Sequence, residues 1–285
     1  MFPATSLGIK FVSQYLIPNR TLFNNVHRPK AIFIQPQVTG RRRFNIVSYE
    51  QELRMGEQTY RETLQAERGK VLPDSHPLTR TVDRVLQRLI PFSGLENVDW
   101  KVHVIKDDRV ANAFVIPGGK VFVYTGILPI CKTEDGIAAV LGHEIAHTVA
   151  HHPAERMSNH FLTMGAAFLT ALLFDVSGQL SSLVMNFMWG LPNSRTQESE
   201  ADHIGLMMMA KACYNPEAAA TLWASMQKQE KGAPPQFMST HPSSYNREEA
   251  IRKLLDKANN LYVENGCSSI GRHVPGFYSA FGHMN

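Results

Sequence analysis

The feature that most constrains this chain is the H-E-x-x-H run from His143 to His147, inside an apolar, alanine-rich stretch. Two histidines four residues apart stand on one face of an α-helix, so both imidazoles can reach a single metal ion. Glu144 flanks that face, where a carboxylate can act as a general base towards a water molecule. A buried His-Glu-His group without a metal would leave costly unpaired polar groups. The run therefore predicts half of a zinc site on a buried helix.

A catalytic zinc needs a third protein ligand. His151 continues the stripe, but it lies about 12 Å along the helix axis from His143 and cannot share one ion with it. The acidic start of a second helical pattern offers Glu198 and Asp202 on one face, with Glu200 rotated away by roughly 200°. Taken alone, this acidic cluster is more typical of the solvent-exposed first turn of a helix than of a metal site. Together with the first motif, it predicts Glu198 as the ligand and Asp202 as the acceptor of a ligand's free ring N–H.

Both motifs resemble those of the gluzincin metallopeptidases in the HtpX and CAAX-prenyl-protease superfamily. The order is the same, H-E-I-A-H followed by E-S-E-A-D, and the chain is most similar to the mitochondrial inner-membrane branch. The residues that carry this resemblance are Arg41-Arg42-Arg43-Phe44-Asn45, the stretch 112–123, His151-His152, Ser194-Arg195 and Ser239-Thr240-His241-Pro242. The resemblance thus covers about residues 41 to 255.

The resemblance implies an α+β fold of the zincin type, mostly helical, with a small antiparallel sheet beside the H-E-x-x-H helix. It also implies one zinc ion per chain, held by His143, His147 and Glu198, with Glu144 as the catalytic base. Asp202 would orient one of the ligand histidines. These expectations agree with those from helix geometry alone.

Two further roles rest on the resemblance. His241 would face the zinc with support from Arg247, either as an oxyanion partner or as a reversible fourth ligand. A histidine before a proline is otherwise a common turn residue. Asn112, Ala113 and Phe114 resemble the strand along which zincins align an extended substrate by strand addition.

The function implied is a zinc-dependent endopeptidase that hydrolyses membrane or misfolded proteins in quality control at the mitochondrial inner membrane. An alternative is a proteolytically silent chaperone or binding module that keeps zinc for structure, although such a module has no need of Glu144. A peptidase of the soluble periplasmic branch is a second alternative. The acid-free N-terminus and the Arg41-Arg42-Arg43-Phe44 match speak against it.

Charge is nearly balanced, with a formal net charge of +4, so no nucleic-acid partner is implied. Its distribution is uneven because residues 1–49 contain no Asp or Glu but several Lys and Arg. This composition is typical of a mitochondrial targeting segment and equally of a basic disordered arm. The sequence leaves open whether copies of the chain form a homo-oligomer.

We place the N-terminal segment at 1–46, the metallopeptidase domain at 47–258 and a C-terminal tail at 259–285. Within the domain, 161–191 is strongly apolar but interrupted in the middle, and neither half reaches the roughly 20 residues that a bilayer crossing needs. It is either a pair of buried helices or a hairpin that contacts a membrane surface.

Local patterns predict further elements. Ser48 and Gln51 resemble a capping box that opens a helix to about Arg68, and apolar periodicity predicts a helix between Pro77 and Ile90. Alternating residues predict strands at 100–105, 112–116 and 120–125, the last two forming a hairpin. The three cysteines show no C-x-x-C spacing and predict no disulfide framework, with Cys131 and Cys213 as core residues.

Overall fold

The computed structural model describes residues 33–34, 40–174, 194–230, 236–241 and 247–267. All of them belong to one compact unit that spans residues 32–285. The helices are α1 (Tyr49–Ala66), α2 (Pro77–Leu89), α3 (Leu128–Cys131), α4 (Glu134–Val149), α5 (His152–Phe174), α6 (Arg195–Lys211), α7 (Glu217–Glu230), α8 (Gln236–Thr240), α9 (Arg247–Arg252) and α10 (Leu255–Glu264). The strands are β1 (Phe33–Ile34), β2 (Arg43–Phe44), β3 (Lys101–Ile105), β4 (Ala113–Ile116) and β5 (Lys120–Tyr124).

Helix α4 lies at the centre of the domain. Thr133 caps its N-terminus by accepting a hydrogen bond from the Gly136 amide, and Glu134 and Asp135 in the first turn complement the helix dipole. Nearly every residue from Glu134 to Thr148 is buried, because α2, α6, α7 and β4 all pack around this helix. The site residues that α4 carries are therefore held on a rigid, dry element.

Helices α4 and α6 approach each other closely at two glycines, Gly142 and Gly205. A Cβ on Gly205 would lie 2.8 Å from the Gly142 carbonyl carbon and 2.8 Å from the His143 amide nitrogen, which is closer than real contacts allow. Only glycine therefore lets the two backbones meet here. This contact stands one residue before His143 and sets the distance between α4 and α6.

The prediction of a helical domain with a small sheet is confirmed, but the sheet is mixed rather than antiparallel. Strands β4 and β5 form the predicted antiparallel hairpin, whereas β3 pairs with β5 in parallel. The reason is that the chain reverses twice between β3 and β5, and β5 inserts between the other two strands. The order β3-β5-β4 leaves β4 at one edge.

Most local predictions are confirmed. Ser48 and Gln51 form the capping box of α1, and the predicted second helix is α2, ending at Leu89 before Pro91. The structure differs from the predicted boundaries at both ends. Arg43 and Asn45 are already buried, so packed structure begins before residue 47. At the other end, α10 continues through Glu264 and packs on α6, beyond the predicted limit at 258.

The prediction that the cysteines form no disulfide is wrong, because Cys213 is bonded to Cys267. The two residues are 54 positions apart and meet because α10 packs against α6, a tertiary contact that cysteine spacing does not reveal. Cys213 is accordingly not a free core thiol. Cys131 is buried as predicted, and burial raises the pKa of its thiol to about 12.

The apolar segment 161–191 is described only as far as Phe174, where α5 reaches its last described residue. Phe161 and Leu162 are exposed on this helix, with 51% and 62% of their surface accessible. The predicted second half of the hairpin lies outside the described residues. Among the described helices, none is both long and apolar enough to cross a bilayer.

We expect Gly205→Ala to destabilise the protein by about 1–3 kcal/mol, since the new methyl group must push α4 and α6 apart. Urea unfolding of the metal-free protein measures this change. The matched control is Gly165→Ala in α5, where a Cβ would meet no described atom within 4 Å. An exposed helical alanine there should stabilise by about 0.5–1 kcal/mol. Equal stability of the two variants would show that the glycine contact does not set the helix spacing.

Candidate metal centre

Helices α4 and α6 bring three potential ligands together. The Nε2 atoms of His143 and His147 lie 3.0 Å apart, as expected for two residues one helical turn apart. The Glu198 carboxylate, from the first turn of α6, spans both rings, with Oε2 3.3 Å from His143 Nε2 and Oε1 3.4 Å from His147 Nε2. All three side chains are buried.

A third nitrogen comes from His241, which directly follows α8. Its Nδ1 lies 3.2 Å from His143 Nε2, and its Nε2 lies 3.3 Å from Glu144 Oε1. The ring stacks on Phe237 with centroids 4.4 Å apart, and the Phe237 amide donates to the Ala111 carbonyl beside β4. His241 is therefore held between the sheet edge and the centre of the site.

The donor set fits a metal ion. A tetrahedral ion with bonds of about 2.0–2.1 Å keeps its ligand atoms roughly 3.3 Å apart, close to the 3.0–3.4 Å found between the histidine nitrogens and the Glu198 oxygens. Ligand atoms of His143, Glu144, His147 and His241 all lie within 4.8 Å of one another. Glu144 Oε1 is buried and receives no hydrogen bond from any described residue. A polar atom buried in this way needs a partner that the ion and its water can provide.

The Nδ1 atom of His143 is held by two residues later in the chain, Asp202 and Arg247. It lies 3.0 Å from Asp202 Oδ1, as predicted for a residue that fixes the tautomer. Arg247 clamps this carboxylate with two hydrogen bonds of 2.6 and 2.7 Å, and its Nη1 lies 2.8 Å from Glu198 Oε2. The guanidinium also lies 3.4 Å above the Trp223 ring centroid. Arg247 thus supports Asp202, His143 and Glu198.

The Nδ1 atom of His147 is held by a series of contacts that leads to two arginines before α1. It lies 2.7 Å from His152 Nδ1, and His152 Nε2 lies 3.1 Å from Glu200 Oε2. Glu200 in turn accepts hydrogen bonds from Arg41 Nε at 2.7 Å and Arg43 Nη2 at 2.5 Å. Glu200 points away from the candidate ligands, as its position on the helix predicted. It points towards a buried group of side chains that contains His152 and Arg43.

The electrostatics favour a cation in this site. Burial would raise the pKa of Glu198, but the neighbouring histidines, first of all His143, hold it well below the usual value. Burial lowers the pKa of His147 far below its usual value, which leaves a free lone pair on the ring. Burial and Arg247 act to lower the pKa of His143, yet Glu198 and Asp202 outweigh them and raise it to about 9. Burial also raises the pKa of Glu144, which suits a proton acceptor.

The predicted substrate strand lies at the sheet edge that packs on α4. Asn112 and Ala113 are buried, and Phe114 is half-buried with its ring stacked on Phe122 at 5.1 Å. Strand β4 pairs with β5 on one side only, and no described strand pairs with its other side. Its position is therefore compatible with strand addition, and its role stays a prediction.

Sequence reasoning assigned no role to His152, to Glu200 or to the buried arginine of the N-terminal arm, which comprises residues 40–48. His152, Arg41 and Arg43 entered only through the resemblance, and Glu200 entered only as an acid that faces away from the predicted ligands. One signal was present, since residues i and i+2 of an extended segment share a face and both are arginines here. Their partners lie more than 110 positions away, at Glu155 and Glu200, and no local pattern connects them.

The model of peptidase family M48 matches residues 77–255, which is more than half of the chain. The chain belongs to peptidase family M48. The mitochondrial metalloendopeptidase OMA1 of Schizosaccharomyces pombe is 49% identical over 223 residues, covering 78% of this chain and 66% of that protein. The protein of the same name from Saccharomyces cerevisiae is 36% identical over 91% of this chain and 78% of its own length. Metalloendopeptidase OMA1, mitochondrial, of Bos taurus is 35% identical over 81% of this chain, which spans 47% of that relative.

As a member of this family with an intact H-E-x-x-H motif, the chain is a metallopeptidase that acts on protein substrates, which confirms the predicted class of enzyme. The predicted superfamily is confirmed as well. The structure adds a candidate metal-binding group of buried histidine and glutamate side chains.

We expect Arg247→Met to destabilise the metal-free protein by about 3–5 kcal/mol at pH 7, since Asp202 and Glu198 would lose the cation that compensates their burial. Urea unfolding measures the change. The matched control is Arg252→Met on the same helix, where the ion pair to Glu248 is exposed and worth at most about 1 kcal/mol. If both variants unfold at the same urea concentration, the buried clamp contributes nothing to stability.

Proposed function

We propose that this chain is a zinc-dependent endopeptidase that cleaves membrane or misfolded proteins in quality control at the mitochondrial inner membrane. The observation that carries the catalytic part is the convergence of His143, His147 and Glu198 beside Glu144, whose Oε1 has no described hydrogen-bond partner. The mitochondrial part draws on relatives that are named mitochondrial metalloendopeptidases. It also draws on the basic, acid-free N-terminus.

Zinc suits a set of two imidazoles and one carboxylate, and when bound it would supply Lewis acidity to water and to a peptide carbonyl. His143 and His147 would hold the ion through Nε2, and Glu198 would hold it through its carboxylate. Glu144 would take a proton from the attacking water at Oε1 and later deliver it to the leaving amine. Burial raises its pKa, which brings the carboxylate closer to the strength that both transfers need.

His241 acts beside this base. Its Nε2 lies on the Glu144 side of the ring, where an N–H can donate to the developing oxyanion, and its Nδ1 lies on the metal-ligand side. The same ring can thus occupy a fourth ligand position before substrate binds. Arg247 acts through Asp202 and His143, since its guanidinium contacts both side chains.

The substrate would lie along β4. An extended peptide can pair with the backbone of Asn112, Ala113 and Phe114 on the side where no described strand binds. This strand packs on α4, so an added strand would pass close to the helix that carries Glu144.

We expect Glu144→Gln to bind one zinc ion per chain but to lose hydrolysis of an unfolded protein, because an amide cannot accept the proton. Metal analysis and a casein-cleavage assay measure the two properties separately. Glu198→Ala should lose both zinc and activity, while Glu217→Ala, an exposed glutamate on α7, should lose neither. Normal turnover in zinc-loaded Glu144→Gln would remove Glu144 from the base role, and inactive wild-type protein with full zinc would favour the silent binding module.

We expect His241→Ala to keep its zinc and to lower kcat by roughly 10²-fold, the scale of losing one oxyanion donor. Stopped assays at saturating substrate and metal analysis of the same sample measure this. An unchanged rate would make His241 a turn residue. Loss of zinc would make it an obligatory ligand instead.

A further inference from the structure

A continuous line of hydrogen bonds runs from the metal ligand His147 to the N-terminal arm. His147 Nδ1 meets His152 Nδ1 at 2.7 Å, and His152 Nε2 meets Glu200 Oε2 at 3.1 Å. Arg43 and Arg41 close the line on the two oxygens of Glu200, at 2.5 and 2.7 Å. His152 is completely buried, and Glu200 and Arg43 are buried as well, so these three side chains cannot exchange their partners for bulk water.

The direction of these hydrogen bonds is fixed from the arginine end. A guanidinium only donates, and a carboxylate paired with two of them stays ionised and only accepts. His152 Nε2 must therefore carry the hydrogen that it donates to Glu200. A neutral imidazole has a single N–H, so His152 Nδ1 is left as an acceptor. It can accept only from His147 Nδ1–H, and this tautomer leaves the Nε2 lone pair of His147 free.

We propose that His152 is a positioning residue that sets the tautomer and ring orientation of His147, and that Arg41 and Arg43 lock it in place through Glu200. This rests on the metal site proposed above. His143 is oriented by one carboxylate in direct contact, Asp202, whereas His147 reaches its carboxylate through an intervening imidazole. The second arrangement makes one metal ligand depend on the arm that precedes α1.

Buried contacts hold the N-terminal arm in place. Arg43 lies on β2 with 2% of its surface exposed, and Asn45 beside it accepts from Ser158 on α5 at 2.9 Å. Arg41 also pairs with Glu155 at 2.6 and 2.7 Å, and Gln197 donates to the same carboxylate at 2.8 Å. The arm therefore joins α5 to α6 on the side of the site opposite Arg247.

The test compares His152→Leu with His152→Gln. Leucine removes both hydrogen bonds, whereas the glutamine amide offers an acceptor to His147 and a donor to Glu200. Zinc affinity is measured by competition with a chromophoric chelator, and the visible absorption of bound Co²⁺ reports on the ligand geometry. We expect the leucine variant to bind zinc about 10–100-fold more weakly, with an altered cobalt spectrum, and the glutamine variant to recover most of the affinity and the spectrum.

Variants at the arginine end of this line of hydrogen bonds test the proposal independently. Arg43→Met should weaken zinc binding in the same direction, while Arg42→Met, its exposed neighbour, should leave it unchanged. This pair decides the outcome even if His152→Leu does not fold, because His152 itself is untouched. Urea unfolding of the metal-free variants separates a loss of fold from a loss of metal.

Zinc affinities and cobalt spectra equal to the wild type in both His152→Leu and Arg43→Met would overturn the proposal. So would equal losses in the leucine and glutamine variants, since they would point to packing rather than to hydrogen bonding. Failure of the proposed function looks different. In that case the wild-type chain itself would bind no zinc, or Glu144→Gln would hydrolyse substrate normally.

Discussion

The contact between α4 and α6 is the constraint on which the rest of the structure depends. Glycine at positions 142 and 205 lets the two backbones approach, and this distance decides whether the Glu198 carboxylate can span His143 and His147. A separation larger by one methyl group would leave the carboxylate short of the histidines. The arrangement of the candidate metal ligands is therefore a consequence of helix packing.

Such close packing buries many charges, and the fold compensates them in pairs. Glu198 and Asp202 face Arg247 on one side of the centre, and Glu200 and Glu155 face Arg41 and Arg43 on the other. Burying carboxylates at this density without partners would cost several kcal/mol for each group. Each arginine satisfies a carboxylate and, through it, orients a histidine. The same contacts thus serve stability and the preparation of the ligands.

Local physical rules predicted much of this site. The periodicity of 3.6 residues places His143 beside His147 and Glu198 beside Asp202, and it turns Glu200 away from them, as the structure has it. The capping box at Ser48 follows from two side chains three residues apart. What the sequence could not reveal depends on distant pairing. Examples are the His152–Glu200 contact, the parallel partner of β3 and the Cys213–Cys267 disulfide, whose members meet only through tertiary packing.

The line of hydrogen bonds from His147 to Arg43 also has an energetic consequence for metal binding. A metal that binds only the folded state adds its binding free energy to the stability of every element that shapes the site. These elements are α4 and α6 at the centre, α9 through Arg247, and the arm through Arg41 and Arg43. By the same linkage, loosening the arm must lower the affinity for the ion, because the two equilibria share the free energy of ordering His147. By this argument, a chain that lacks this arm would still contain the proposed ligands His143, His147 and Glu198 and would nevertheless bind the ion more weakly.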